Sequence, residues 1–193
     1  MQTLSVEVST RRIATVTLNR PDRGNAFDQA MLGGLVRTFA SLATDDGVRV
    51  VVMRGQGRHF CTGADLAARS EEPISSAPPT TLFDALLAID SCPKPTIAVV
   101  QGGAIGGGAA FAACCDVVLA ASTAFFSIPE VRVGMAGLGV APFLIRAMGH
   151  RSFRRYGLSG ERIAADDALR TGLAHEVCDA DRLDERLDRK SVV

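Results

Sequence analysis

The sequence predicts an α/β fold with parallel strand pairing, on three observations. Apolar β-branched runs alternate with amphipathic helical patterns at crossover spacing through most of the chain. The connections are rich in glycine, with Gly102-Gly103 and Gly106-Gly107-Gly108 crowded between one strand and one helix. Beyond residue 140 the strand patterns thin out and helical ones dominate, so the expected division is a core over 1–140 and a mainly helical region over 141–193.

Val6 to Leu18 alternates and predicts a hairpin or two separate strands, broken near Ser9-Thr10. The segment from Asn19 to Gly24, with Pro21, is a turn. Asp28 is placed as the N-cap of a helix carrying Met31, Leu32, Leu35, Val36, Phe39 and Leu42 on one face. Val48 to Arg54 reads as a buried strand, Gly55 to Gly63 as a loop, and Ala64 to Ala68 as a short helix. Residues 69–80, with Pro73, Pro78 and Pro79, read as a mobile surface loop. Thr81 to Ile89 is an amphipathic helix with Leu82, Phe83, Leu86 and Leu87 inward. Pro95 to Val100 is a strand, Gly102-Gly103 a turn, Ala109 to Cys115 a small-residue helix and Val117 to Ala120 another strand. Asp181 to Lys190 is charged and helical.

The composition bounds the function. A chain of 193 residues with 47% hydrophobic residues has one domain with a real core and is not disordered. Its 21 basic residues balance 21 acidic ones, which argues against a nucleic-acid partner. No apolar stretch reaches the ~20 residues that span a bilayer, and the polar, alternating N-terminus is no signal peptide. Five cysteines without a CxxC pattern read as free thiols in a reducing cytoplasm, and the scattered His59, His150 and His175 lack metal-ligand spacing.

Two loops follow apolar strands, Gly57 to Leu66 and Gly102 to Gly108. If their strands are neighbours, main-chain N–H groups from both could converge on one oxygen, as an oxyanion hole requires. A helix starting at the second loop would add the positive end of its dipole. The glycines of either loop alone fit tight helix–strand packing just as well. Glu130 lies in an apolar stretch, where a carboxyl has a raised pKa suited to proton transfer. That window alone fits equally a surface glutamate paired with Arg132.

In order along the chain, Leu18-Asn19-Arg20-Pro21, Asn25-Ala26-Phe27, Phe60 to Leu66, Gly106-Gly107-Gly108, Cys115-Asp116, Pro129-Glu130 with Gly134, and Ser159-Gly160 through Gly172-Leu173 resemble the enoyl-CoA hydratase/isomerase (crotonase) superfamily. The resemblance covers almost the whole chain. It implies a spiral of ββα units with a C-terminal helical region, assembled as a homo-trimer or hexamer. It implies an acyl-CoA thioester substrate, coenzyme A being part of that substrate and no cofactor or metal being needed. The thioester oxygen would be held by the N–H groups of Ala64 and Gly107, with Glu130 as the acid/base. Ala26, Arg23, Asp65, Leu66, Gly106 and Gly137 would line the substrate, Arg23 near a phosphate; Asp65 reads also as a helix cap, and His59 and Cys61 as packing residues.

Two departures matter. Hydratases of the family carry a first glutamate at the position of Ala110, so the attacking water loses an anchor here. An isomerase needs only one base that removes and returns a proton. Yet the Pro129 to Gly134, Ala141 to Gly149 and Arg154 to Tyr156 segments resemble bacterial methylglutaconyl-CoA-type hydratases, in which Arg132 or Arg146 could meet a carboxylated acyl tail. The family also continues further as helices that cover the site, so either the helical region is shortened here or the natural chain continues beyond Val193. The expectation is a hydratase of an α,β-unsaturated acyl-CoA; the alternatives are an enoyl-CoA isomerase and a non-catalytic acyl-CoA-binding or assembly subunit. A dinucleotide-dependent dehydrogenase lacks its GxGxxG, and a serine hydrolase its GxSxG.

Overall fold

In the computed structural model, which describes residues 3–67 and 79–190, strands and helices alternate from the first turn onward. In chain order they are β1 (Leu4–Val8), β2 (Ile13–Leu18), α1 (Gln29–Thr44), β3 (Val50–Gly55), α2 (Leu82–Asp90), β4 (Thr96–Val100), β5 (Gly103–Ile105), α3 (Gly107–Cys114), β6 (Val117–Ala121), β7 (Phe125–Ser127), α4 (Ala141–Ser159), β8 (Arg162–Ala164), α5 (Ala165–Thr171), β9 (Glu176–Cys178) and α6 (Leu183–Lys190). The expected proline-rich loop lies almost entirely outside the described residues, as does the end of the expected 64–68 helix.

One sheet runs β1-β2-β3-β4-β6-β9 and a second, smaller one runs β5-β7-β8. The predicted hairpin is β1 against β2, turned by Arg12 at φ 63. From β2 to β9 every neighbour in the large sheet is parallel, with helices serving as the crossovers. β3 and β4 are buried almost throughout, as strands covered on both faces must be.

Asp28 caps α1, accepting a hydrogen bond from the Met31 amide at 2.9 Å, and the predicted face is buried apart from the half-buried Val36. α2 is fixed by a capping box between Thr81 and Asp84. Its inward face differs from the expected one: Ala85, Leu86 and Ile89 are buried, while Phe83 and Leu87 are 47% and 48% exposed. The helix turns the small Ala85 toward α3 and leaves Phe83 at the rim, its ring 5.8 Å from that of Phe143 on α4.

All eight residues of α3 are buried, which explains their size. A Cβ at Gly108 would overlap the carbonyl of Cys61, so the helix lies directly on the 57–65 loop. Gly103, expected in a turn, instead opens β5. The three-residue strands β5, β7, β8 and β9 are too short to show a period in sequence. Glu130 falls in a 3-10 turn, Glu130–Val133, directly after β7.

Candidate active site

A cavity of about 800 Å³ opens where the start of α1, the 62–66 loop, the N-terminus of α3 and the turn at 130–133 meet. Its wall is mainly apolar, with Phe27, Leu32, Leu82, Ile105 and Val140 among its residues.

The 57–65 loop threads between two neighbours. Cys61 pairs with Ala104 of β5 and Ala64 pairs with Phe27, both in parallel. On the second side Phe27 N–H donates to the Gly63 carbonyl and Asp65 N–H to the Phe27 carbonyl, each at 2.9 Å. The amide of Ala64 alternates away from that ladder and has no protein acceptor among the described residues. Gly107 is the first residue of α3, so its amide has no intrahelical partner, and none among the described residues. Both residues line the cavity. Gly106 makes the approach possible: its φ is 55 and its own amide is spent on the Ser127 carbonyl at 2.8 Å.

Glu130 is also on the wall. A Cβ on Gly106 would sit 2.8 Å from Glu130 Oε1, so the carboxyl lies against the residue preceding Gly107. Oε2 is buried and has no hydrogen-bond partner among the described residues. Burial therefore pushes the Glu130 carboxyl above its ordinary value. The expected alternative, an ion pair with Arg132, is not formed among the described residues. A carboxyl with a raised pKa on the same cavity wall as two unspent amides suits proton transfer to or from a group bound there.

Arg20 braces this arrangement. Its guanidinium donates to the Ala26 carbonyl at 2.6 Å and to Asp65 at 2.8 Å, and reaches Asp28 at 3.3 Å. Asp65, Leu66, Gly106 and Gly137 are on the cavity wall as expected from sequence. Ala26 and Arg23 are not: Ala26 is buried with its carbonyl on Arg20, and Arg23 is exposed on its loop. Phe27 and Asp28 occupy the wall in their stead. Arg146 pairs with Asp90 on the outer side of α2 and leaves the cavity, whereas Arg132 lines it. Ala110 is fully buried in α3 and off the wall. The sequence reading missed Arg20 as a brace; its signal was an arginine before a proline turn, with Asp28 and Asp65 as acidic partners far along the chain.

This order of elements, with two glycine-backed loops and one half-buried carboxylate lining a single cavity, defines a crotonase-type protein. Residues 9–189 match the family described as enoyl-CoA hydratase/isomerase. The 2,3-dehydroadipyl-CoA hydratase of Escherichia coli is 37% identical over 172 residues, spanning 89% of this chain and 68% of that protein. The mitochondrial Delta(3,5)-Delta(2,4)-dienoyl-CoA isomerase of Rattus norvegicus is 31% identical over 193 residues, spanning 91% of this chain and 58% of that one. A solved structure described as a putative enoyl-CoA hydratase/isomerase (crotonase) from Legionella pneumophila superposes with a TM-score of 0.90 at 32% identity, covering 99% of this chain and 75% of that one. The chain spans 54% of the length of several curated fungal relatives. It belongs to the enoyl-CoA hydratase/isomerase family.

Proposed function

We propose that the chain forms the catalytic core of an enoyl-CoA hydratase, adding water across the double bond of an α,β-unsaturated acyl-CoA. The observation that carries this reading is the half-buried Glu130 carboxyl beside the N-terminus of α3, whose Oε2 is buried without a partner among the described residues. The thioester oxygen is held by the amides of Ala64 and Gly107, which withdraw electrons from the double bond. Glu130, ionised, takes a proton from water as the water oxygen bonds to the β-carbon. The double-bond pair moves into an enolate on the held oxygen, and the dipole of α3 favours that charge. Glu130 then gives its proton to the α-carbon and the carbonyl re-forms. One carboxyl suffices because it returns the proton it took. Coenzyme A enters as part of the substrate, and no metal is invoked.

A second reading, an enoyl-CoA isomerase, is favoured by Ala110, which supplies no second carboxylate to hold a water. There Glu130 would remove a proton from the α-carbon of a β,γ-enoyl thioester and return it to the γ-carbon. A third, a non-catalytic acyl-CoA-binding subunit, keeps the cavity and loses the turnover. Absorbance of the conjugated thioester separates them. Hydration abolishes conjugation in an α,β-substrate, isomerisation creates it from a β,γ-substrate, and a binding subunit changes neither.

We further propose a homo-trimer or hexamer in the cytoplasm. Exposed Val133, Leu138 and Leu158 beside the site support assembly, and the free thiols of Cys61, Cys92, Cys114, Cys115 and Cys178 support a reducing compartment. No helix among the described residues is long and apolar enough to cross a membrane.

A further inference from the structure

His59 opens the loop that carries Ala64, and its side chain does something no other residue of that loop does. The amide of Gly103, the first residue of β5, donates to His59 Nδ1 at 2.9 Å. From there the main-chain ladder continues, Cys61 N–H to the Gly103 carbonyl at 3.1 Å and Ile105 N–H to the Cys61 carbonyl at 2.9 Å. The imidazole is thus a side-chain rung in the ladder that aligns the Ala64 loop with the strand leading into Gly107, set between the main-chain bond from Phe60 N–H to the Gln101 carbonyl at 2.9 Å and that from Cys61 to Gly103. The backbone of His59 is pinned from the other side, its carbonyl accepting from Asn25 Nδ2 at 2.7 Å. The chains here touch so closely that a Cβ at Gly102, where φ is 57, would overlap the Arg58 carbonyl. No side chain could slip in to replace the rung.

We propose that His59 is a positioning residue for the oxyanion hole, its neutral imidazole anchoring the Gly103 amide and so holding the Ala64 and Gly107 donors in register. This rests on the proposed role of those two amides. An imidazole accepts through Nδ1 only when that nitrogen carries no proton, so the proton sits on Nε2 and the ring is uncharged. Protonation would set N–H against N–H and break the rung. The surroundings oppose it: burial and the adjacent Arg58 charge both lower the His59 pKa. The elements packed on the ring offer no compensating partner. The 21–25 loop presents Gly24, 3.6 Å from the ring if it bore a Cβ, with the exposed Asp22 and Arg23 before it and the buried, uncharged Asn25 after it. β5 presents Gly103, and β7 presents Phe125, whose far face is stacked on Arg162.

Three substitutions separate positioning from bulk packing. In asparagine the Oδ1 hangs on Cγ as Nδ1 does in histidine, so His59→Asn keeps an acceptor at the same place without a titrating ring. His59→Gln moves the acceptor one bond outward, and His59→Leu removes it. With an enoyl-CoA at neutral pH, His59→Leu is expected to lower kcat by about tenfold or more while KM changes little, as donor misalignment does; His59→Gln falls similarly and His59→Asn recovers most of the loss. Independently of turnover, the Gly103 amide of the isotope-labelled chain is followed by NMR. Its protection factor, taken against the unprotected amide at the same pH, should fall as pH falls through the His59 titration in wild type, stay low at all pH in His59→Leu, and stay high in His59→Asn. Wild-type kcat in His59→Leu, or a Gly103 amide indifferent to His59 protonation, overturns the proposal. A folded wild-type protein inactive on every enoyl-CoA would instead overturn the functional reading beneath it, with the Gly103 exchange still deciding whether the anchor exists.

Discussion

Glu130 carries a conflict that defines the site. Its Oε2 is buried without a partner among the described residues, an arrangement that costs stability and that a merely structural residue would not keep. Burial raises its pKa above the ordinary 4.5. The folded chain thus binds a proton more readily than the unfolded chain, so stability falls as pH rises through the raised pKa. Glu130→Gln should therefore melt at a higher temperature than wild type near neutral pH, with the gap closing as pH drops below the unfolded value; an equal Tm at all pH would contradict the burial account. The same substitution should cut turnover by about a hundredfold or more while leaving binding of a saturated acyl-CoA nearly unchanged, measured by calorimetry. In sequence Glu130 was legible as a carboxyl in an apolar run, but not its contact with Gly106, which is set by two chain segments more than twenty residues apart. The positions of Arg132 and Arg146 were hidden for the same reason: Arg146 pairs with Asp90, while Arg132 lies on the cavity wall.

At the level of elements, the donors depend on α3 lying against the 57–65 loop. Gly108→Ala would drive a methyl into the Cys61 carbonyl. The expected cost is about 1–3 kcal/mol, read by urea denaturation, with a loss of activity larger than the loss of fold because Gly107 moves too. Thr81→Ala removes the capping box of α2 and should cost about 1 kcal/mol without changing kcat. The long elements were visible in sequence because hydrophobic period and caps agree: Asp28 before α1 and the β-branched runs of β3 and β4 left little choice. The three-residue strands were not, since their pairing comes from tertiary register; β5 owes its place to Cys61 and Phe125 rather than to its own residues. The inward face of α2 was misjudged at Phe83 and Leu87 because hydrophobicity marks a packed residue without saying which neighbour it packs on.

On the scale of the whole molecule, the cavity is walled by stretches far apart in sequence: the start of α1, the 62–66 loop, the N-terminus of α3 and the turn at 130–133. At the rim of the cavity Val133 and Leu138 are 59% and 77% exposed, and Leu158, 68% exposed, lines an adjoining hollow that shares Glu130 with it. If copies of the chain cover this rim, Leu158→Asp should shift the sedimenting species toward monomer and lower activity; an unchanged mass would place the assembly surface elsewhere. The overall fold was legible from the ordered motifs between Leu18 and Leu173. The choice between hydration and isomerisation was not, because one carboxyl with Ala110 is compatible with either proton path. The measurement that tests the central claim most directly is mass analysis of an α,β-unsaturated acyl-CoA incubated in isotopically labelled water, with wild type and with Glu130→Gln. The account predicts a product one labelled water heavier, formed by wild type and nearly lost in the variant. Turnover of a β,γ-substrate without any gain of oxygen, or label incorporation unaffected by Glu130→Gln, would contradict it.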